Sequence, residues 1–259
     1  MEYLEFKTIH QDEYLNNPPF SHIEIDNLWE NSFLEKCSDE VSNFQNWQGE
    51  KKFYGSQKKR YSNKYDSFPT NIKKLIDEAY SIKFLNWLKS FTGEEIILPD
   101  PELVGGGIHS TVKGGFLKIH ADFNWNKRLK LYRKLNLLVY LNKKWDDEWG
   151  GHLELWSKDV KTCEKKIIPI FNKTVIFSTN DISFHGHPDP VNCPENIFRN
   201  SIALYYYSPI KPKVYFGVRD DTDYIERKID NFRQPNIYKK IYRKFKLFIN
   251  HFQRLAFNK

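Results

Sequence analysis

After Pro101 short apolar segments alternate with turn residues, and this texture limits the possible fold more than any other feature of the chain. Strands are expected near residues 115–120, 135–142, 152–156, 167–171, 174–178, 183–185 and 199–207. Turns fall at Gly105-Gly106-Gly107, Gly114-Gly115, Gly150-Gly151, Asn172-Lys173 and Pro188-Asp189-Pro190. Several short strands at this spacing fit a sandwich or a jelly-roll barrel. The first hundred residues read instead as mainly helical. Between Asp26 and Gln45, the residues Trp29, Phe33, Leu34, Cys37, Val41 and Phe44 form a one-sided apolar stripe. A second helical stretch opens at Pro69-Thr70, carries Ile72, Leu75, Ile76, Ala79, Ile82, Phe84, Leu85 and Leu88, and closes at Thr92-Gly93. Helices followed by an all-β run predict an α+β chain, mainly β in its core, with a helical layer against one sheet. The expected division is a helical region over 1–100, a β core over 101–210 and a C-terminal extension over 211–259.

The 259 residues suffice to bury a core, and 40% hydrophobic with 28% charged residues is a globular composition. Three cysteines without metal-ligand spacing argue against a disulfide framework and for a reducing compartment. The N-terminus has no apolar signal region, and no stretch approaches a membrane span, so a cytoplasmic location is expected. The net charge of +7 is uneven: from Ile210 onward 13 Lys and Arg face 5 Asp and Glu, so the first 209 residues sum to −1. A body of that balance argues against a nucleic-acid groove. From Asn231 to Lys259 there are eight basic and no acidic residues, with Ile237, Ile241, Phe245, Phe248, Phe252 and Leu255 at three- and four-residue steps. This predicts a basic amphipathic helix. Packing on the domain or on a second subunit is the preferred reading of it, and peripheral contact with a membrane surface the other.

The chemistry concentrates around Gly114-Gly115-Phe116-Leu117-Lys118-Ile119-His120-Ala121-Asp122-Phe123-Asn124. Residues two apart on a strand point the same way, so His120 and Asp122 project together. An imidazole and a carboxylate suit a borderline divalent metal, and a third ligand from another strand would complete a facial triad with open positions. The segment Ile182-Ser183-Phe184-His185-Gly186-His187-Pro188 offers that ligand. Either His185 or His187 could serve; His185 is preferred because Pro188 turns the chain just beyond it. His187 is then a supporting partner or an exposed loop residue. Arg199 and Ser201 share one face of a later apolar strand. A planar guanidinium there could clasp a carboxylate, with the hydroxyl adding a further bond, or it could form an ordinary strand-end salt bridge. On Leu135–Leu141 the residues Leu135, Leu137, Val139 and Leu141 form one face, suited to packing under the helices. Asn136, Leu138 and Tyr140 form the other, suited to line a cavity. His109, Asn124 and Trp125 could touch a substrate or serve the fold, and His152 reads as a surface residue. The glycine runs lack the features of phosphate loops.

Taken in order, these pieces resemble the iron(II)/2-oxoglutarate oxygenase superfamily, closest to its prolyl 4-hydroxylase-like group. The phrases that carry the resemblance run over about residues 66–210. They include Gly105-Gly106-Gly107-Ile108-His109, the stretch ending Asp122-Phe123-Asn124, Tyr140-Leu141-Asn142, Trp149 to Trp156, His185-Gly186-His187-Pro188 and Arg199 to Tyr207. The resemblance implies a double-stranded β-helix with Fe(II) on His120, Asp122 and His185. It also implies 2-oxoglutarate on Arg199, with the Tyr140 hydroxyl on the same carboxylate. It implies a hydroxylase that consumes O2 and 2-oxoglutarate, with ascorbate as a candidate reductant. The substrate would be a prolyl residue of a protein or peptide; a free amino acid, a sugar-linked metabolite or a nucleobase would need the same chemistry. A jelly-roll binding module without turnover is the contrasting reading, and it would have no need of the triad and Arg199 together. The loop from Asp189 to Asn196 is longer than in animal prolyl hydroxylases.

Overall fold

The computed structural model describes residues 3–227. In chain order its helices are α1 (Gln11–Leu15), α2 (Asn31–Ser42), α3 (Thr70–Ala79) and α4 (Ile82–Thr92). Its strands are β1 (His22–Asp26), β2 (Gly49–Phe53), β3 (Ser56–Ser62), β4 (Leu98–Pro99), β5 (Gly107–Ala121), β6 (Trp125–Asn126), β7 (Leu131–Tyr140), β8 (Leu153–Trp156), β9 (Cys163–Ile167), β10 (Lys173–Ser178), β11 (His185–His187), β12 (Arg199–Ser208) and β13 (Asp223–Tyr224). The basic C-terminal helix expected over 231–259 lies outside the described residues.

The strands join one antiparallel sheet whose main path runs β1-β10-β7-β12-β5-β11-β8-β9. It curls into the jelly roll. Strand alternation explains its two sides. Leu135, Leu137, Val139 and Leu141 are buried in one core with Ile72, Leu75, Phe84 and Leu88 of α3 and α4. Tyr140 belongs instead to a second cluster inside the curled sheet, with Leu153, Leu155, Val175 and Phe177, and Leu138 packs against it. Each fully buried large aliphatic side chain contributes about 1.5–3 kcal/mol. The helical layer is thus a structural wall for the strands that carry the site. Among the described residues no helix is long and apolar enough to cross a membrane.

Several expectations need correction. The first hundred residues contain four strands, β1 to β4, as well as helices. β1 continues the sheet as a partner of β10. The β2–β3 hairpin is polar, Gly-Glu-Lys-Lys-Phe followed by Ser-Gln-Lys-Lys-Arg-Tyr-Ser, and carries almost no apolar alternation. Its pairing with β5 holds it extended. The stripe over 26–45 yields a helix only from Asn31, because Glu30 caps it by accepting from the Ser32 N–H. The later helical stretch splits at Tyr80-Ser81, where the Ser81 hydroxyl accepts from the Phe84 N–H and starts a new helix. Gly114-Gly115 is not a turn but lies within β5. The strand expected at 167–171 is β9, ending at Ile167, and the one at 183–185 is β11, beginning at His185.

Gly107 opens β5 with φ +85°, and a Cβ there would collide with the Ser62 carbonyl oxygen of β3. Gly107→Ala therefore combines left-handed strain with a backbone clash, a loss of about 2 kcal/mol or more. At about 2–4 °C per kcal/mol for a domain of this size, calorimetry should show Tm falling by about 4–8 °C.

Candidate metal centre

β11 lies antiparallel to β5, with His185 directly opposite His120. Their ring centroids are 4.4 Å apart. Asp122 follows one residue beyond the end of β5 and turns its carboxylate to the same point. The His120 Nε2 is 3.5 Å from Asp122 Oδ1, and the His185 Nε2 is 3.4 Å from Asp122 Oδ2. One donor atom from each residue lies within 4.8 Å of the others, and all three residues are buried. The second nitrogen of each ring is fixed by backbone: Nδ1 of His120 donates to the Lys118 carbonyl at 2.7 Å, and Nδ1 of His185 to the Ser183 carbonyl at 2.9 Å. A proton held at Nδ1 leaves the Nε2 lone pair free on the side of Asp122. Two neutral imidazoles and a carboxylate presented from one side are the donor set of an open divalent-metal site. Gly186 makes the approach possible, since a Cβ there would meet the Leu117 and Lys118 carbonyl oxygens of β5 at 2.7 Å.

Asp122 is held by residues that the strand pattern did not single out. Its Oδ2 accepts from Arg133 at 2.9 Å and from the Asn136 amide at 2.8 Å. Arg133 also donates to Asn136 Oδ1, from Nε at 2.9 Å and from Nη2 at 2.6 Å. Arg219 donates to the Asp122 carbonyl at 2.6 Å. Burial alone would raise the Asp122 pKa, but Arg133 and His185 outweigh it and hold the carboxyl well below the usual range. Burial, and then His185, lower the pKa of His120. An ionised carboxylate beside a neutral imidazole is the protonation state that a metal requires. Alternation places Arg133 with Leu135, under the helices. A bulge in β7 shifts the register there: Tyr206 pairs with Leu135 and Tyr207 with Arg133, so Lys134 is the extra residue. Such an offset re-aims a side chain, and Arg133 faces the cavity.

A cavity of about 250 Å³ opens onto the three residues and is lined also by Arg199, Ser201 and Asn136. Arg199 is buried, not a surface strand end. Its Nε donates to the Gly151 carbonyl at 2.5 Å and its Nη2 to the Tyr140 hydroxyl at 3.2 Å. Ser201 stands opposite Tyr140 in the β12–β7 register. Among the described residues no carboxylate pairs with Arg199. A buried guanidinium facing a cavity is set up for an anion that enters from outside.

His187 is buried and lines the same cavity, but its donor atoms do not join the set of three. Neither of its ring nitrogens has a hydrogen-bond partner among the described residues. His109 lines the cavity too, kept neutral by burial and by Lys59. Asn124 serves the fold: its amide donates to Asp181 at 2.8 Å and to the Gly217 carbonyl at 2.9 Å. Trp125 packs edge-on against Tyr132. Neither of these two residues lines the cavity. His152 bonds Asp147 at the surface. The cavity wall that strand patterning missed is the β2–β3 hairpin, which contributes Lys51, Lys59 and Tyr61.

Comparison with known proteins agrees with this geometry. Residues 106–207 match the family model described as the 2OG-Fe(II) oxygenase superfamily. Over 90 residues the chain is 33% identical to prolyl 3-hydroxylase OGFOD1 of Mus musculus, a match covering 32% of this chain but 16% of that protein. A Trichoplax adhaerens prolyl hydroxylase, solved with a hypoxia inducible factor peptide fragment, superposes with a TM-score of 0.55 at 17% identity, covering 76% of this chain and 88% of that one. A Pseudomonas putida prolyl-4-hydroxylase gives 0.54 at 12% identity, covering 76% and 98%. Residues 106–207 are thus similar to the 2OG-Fe(II) oxygenase superfamily, and the fold is the one seen in prolyl hydroxylases.

Proposed function

We propose that the chain is an Fe(II)- and 2-oxoglutarate-dependent dioxygenase that hydroxylates a substrate C–H bond, with a prolyl residue of a protein or peptide as the substrate. The convergence of His120, Asp122 and His185 beside a buried Arg199, which has no carboxylate partner among the described residues, carries this reading. In it His120, Asp122 and His185 hold Fe(II) from one side. When bound, the iron with O2 and 2-oxoglutarate supplies the oxidation, one oxygen atom entering the product and the other the succinate left when 2-oxoglutarate loses CO2.

The chain's own groups orient and ionise. The carbonyls of Lys118 and Ser183 keep the protons of both imidazoles at Nδ1. Arg133 and Asn136 fix Asp122 as a carboxylate and set its plane. Arg199 receives the distal carboxylate of 2-oxoglutarate, aided by the hydroxyls of Tyr140 and Ser201. The apolar cluster behind Tyr140, which includes Leu153, Leu155 and Phe177, keeps that end of the site dry. A dry surround strengthens each of these charge contacts. The prolyl assignment draws support from the names of the similar proteins.

Anaerobic addition of Fe(II) and then 2-oxoglutarate should produce a metal-to-ligand charge-transfer band, and O2 should then yield succinate. The band should vanish in His120→Ala and in His185→Ala and persist in His187→Ala. A band unchanged in His120→Ala would overturn the assignment. Arg199→Gln removes one partner of a buried charge pair, a loss of about 3–5 kcal/mol. Titration of the Fe(II) form should then show 2-oxoglutarate binding about 100-fold or more weaker, with metal affinity retained.

A further inference from the structure

The same cavity holds two further cations that the proposed reaction does not use. Lys51 of β2 and Lys59 of β3 both line it, and the hairpin register sets them directly opposite each other. Like charges at opposed positions of an antiparallel pair repel. Neither ammonium has an ion-pair partner among the described residues. Lys51 lies 4.5 Å from the centre of the Tyr61 ring. Burial, followed by the charges of Arg199 and Lys51, pushes the Lys59 pKa down to about 7. Among the described residues that line the cavity the one carboxylate, Asp122, is already bound by Arg133 at 2.9 Å.

The positive charge exceeds what the co-substrate neutralises. In the reading given above, on which this inference rests, one end of 2-oxoglutarate meets the metal and the other meets Arg199. Lys51 and Lys59 are then left with no counter-charge. Beside them stands His187, buried and with both ring nitrogens unpartnered, able to donate one hydrogen bond and accept another. An apolar or cationic group placed here would leave two opposed ammonium ions and an imidazole without partners.

We propose that Lys51 and Lys59 receive an anionic group of the substrate, a carboxylate or a phosphate, held in the cavity beside the atom to be oxidised. The class of substrate is thereby narrowed to acidic molecules: a peptide with an acidic side chain next to the target residue, or a small molecule bearing its own acid group. The hairpin selects among substrates by charge, while Arg199 is reserved for the co-substrate.

The test uses the full chain loaded with Zn(II) and saturating 2-oxoglutarate, which occupies the Arg199 end and permits no turnover. Three probes are titrated calorimetrically: inorganic phosphate, a blocked Pro-Glu dipeptide and N-acetylproline. The dipeptide reports a side-chain acid as the source of the anion, and N-acetylproline a free acid. At least one should bind the parent protein and bind Lys51→Gln/Lys59→Gln ten-fold or more weakly. Lys51→Arg/Lys59→Arg, which keeps the charge, should restore binding. Thermal melts establish that both variants are folded. Binding of none of the probes, or equal binding by the parent and the Gln variant, would overturn the proposal. So would a ten-fold loss of 2-oxoglutarate affinity in the Gln variant, because the lysines would then belong to the co-substrate. Failure of the parent protein to take up Zn(II) and 2-oxoglutarate at all would instead sink the oxygenase reading.

Discussion

A buried, ionised carboxylate is the constraint around which the centre is organised. Asp122 is 7% exposed, and an unpaired charge at that depth would be driven to neutrality. Arg133 prevents this, and it is itself 1% exposed and needs Asp122 in return. Asn136 braces the pair, donating to the carboxylate and accepting from the guanidinium. Thr179 adds a hydroxyl to the same Asn136 oxygen at 3.2 Å. The Arg133 guanidinium also lies 3.4 Å from the centre of the Tyr205 ring, which shields it from water. This network joins β7, β12 and the end of β5, so the orientation of Asp122 is fixed by three separate parts of the sheet.

His120 and Asp122 were legible in the sequence because the alternation of β5 continues one residue past its end, to Asp122. The order of the turns around them conveyed the jelly roll for the same reason. The choice of His185 over His187 needed more. Both lie on β11 and both face inward, and the opposition of His185 to His120 across β5 separates them. Arg199 was visible as a charge on an apolar strand, although its depth was not. Arg133 was hidden by the β-bulge at Lys134 of β7, a feature that binary pattern does not encode. The hairpin was hidden for another reason. Its stability comes from backbone pairing to β5 and not from apolar side chains, so no hydrophobic period marks it.

The cavity therefore combines two kinds of residue with separate origins. Those near the proposed metal come from the central strands, where most side chains are buried. Those at the hairpin wall come from a polar ribbon that few apolar contacts restrain. The first group sets the chemistry and tolerates little change in backbone position, as the crowded space at Gly186 illustrates. The second group can change side chains without disturbing the core. Substrate preference and chemical step are in this way assigned to different parts of the sheet.

β5 is the strand on which these parts meet. Along its 15 residues it pairs with β3, β11, β12 and β13 in turn, so both of its edges are occupied. His120 sits where β11 lies on one side and β13, through Tyr224, on the other. A strand gripped this way has little freedom to breathe locally. The ordering entropy of gathering the donor atoms is lost when the chain folds, and little of it remains to be lost when an ion arrives. Uptake of the ion would be closer to filling a rigid socket than to assembling one.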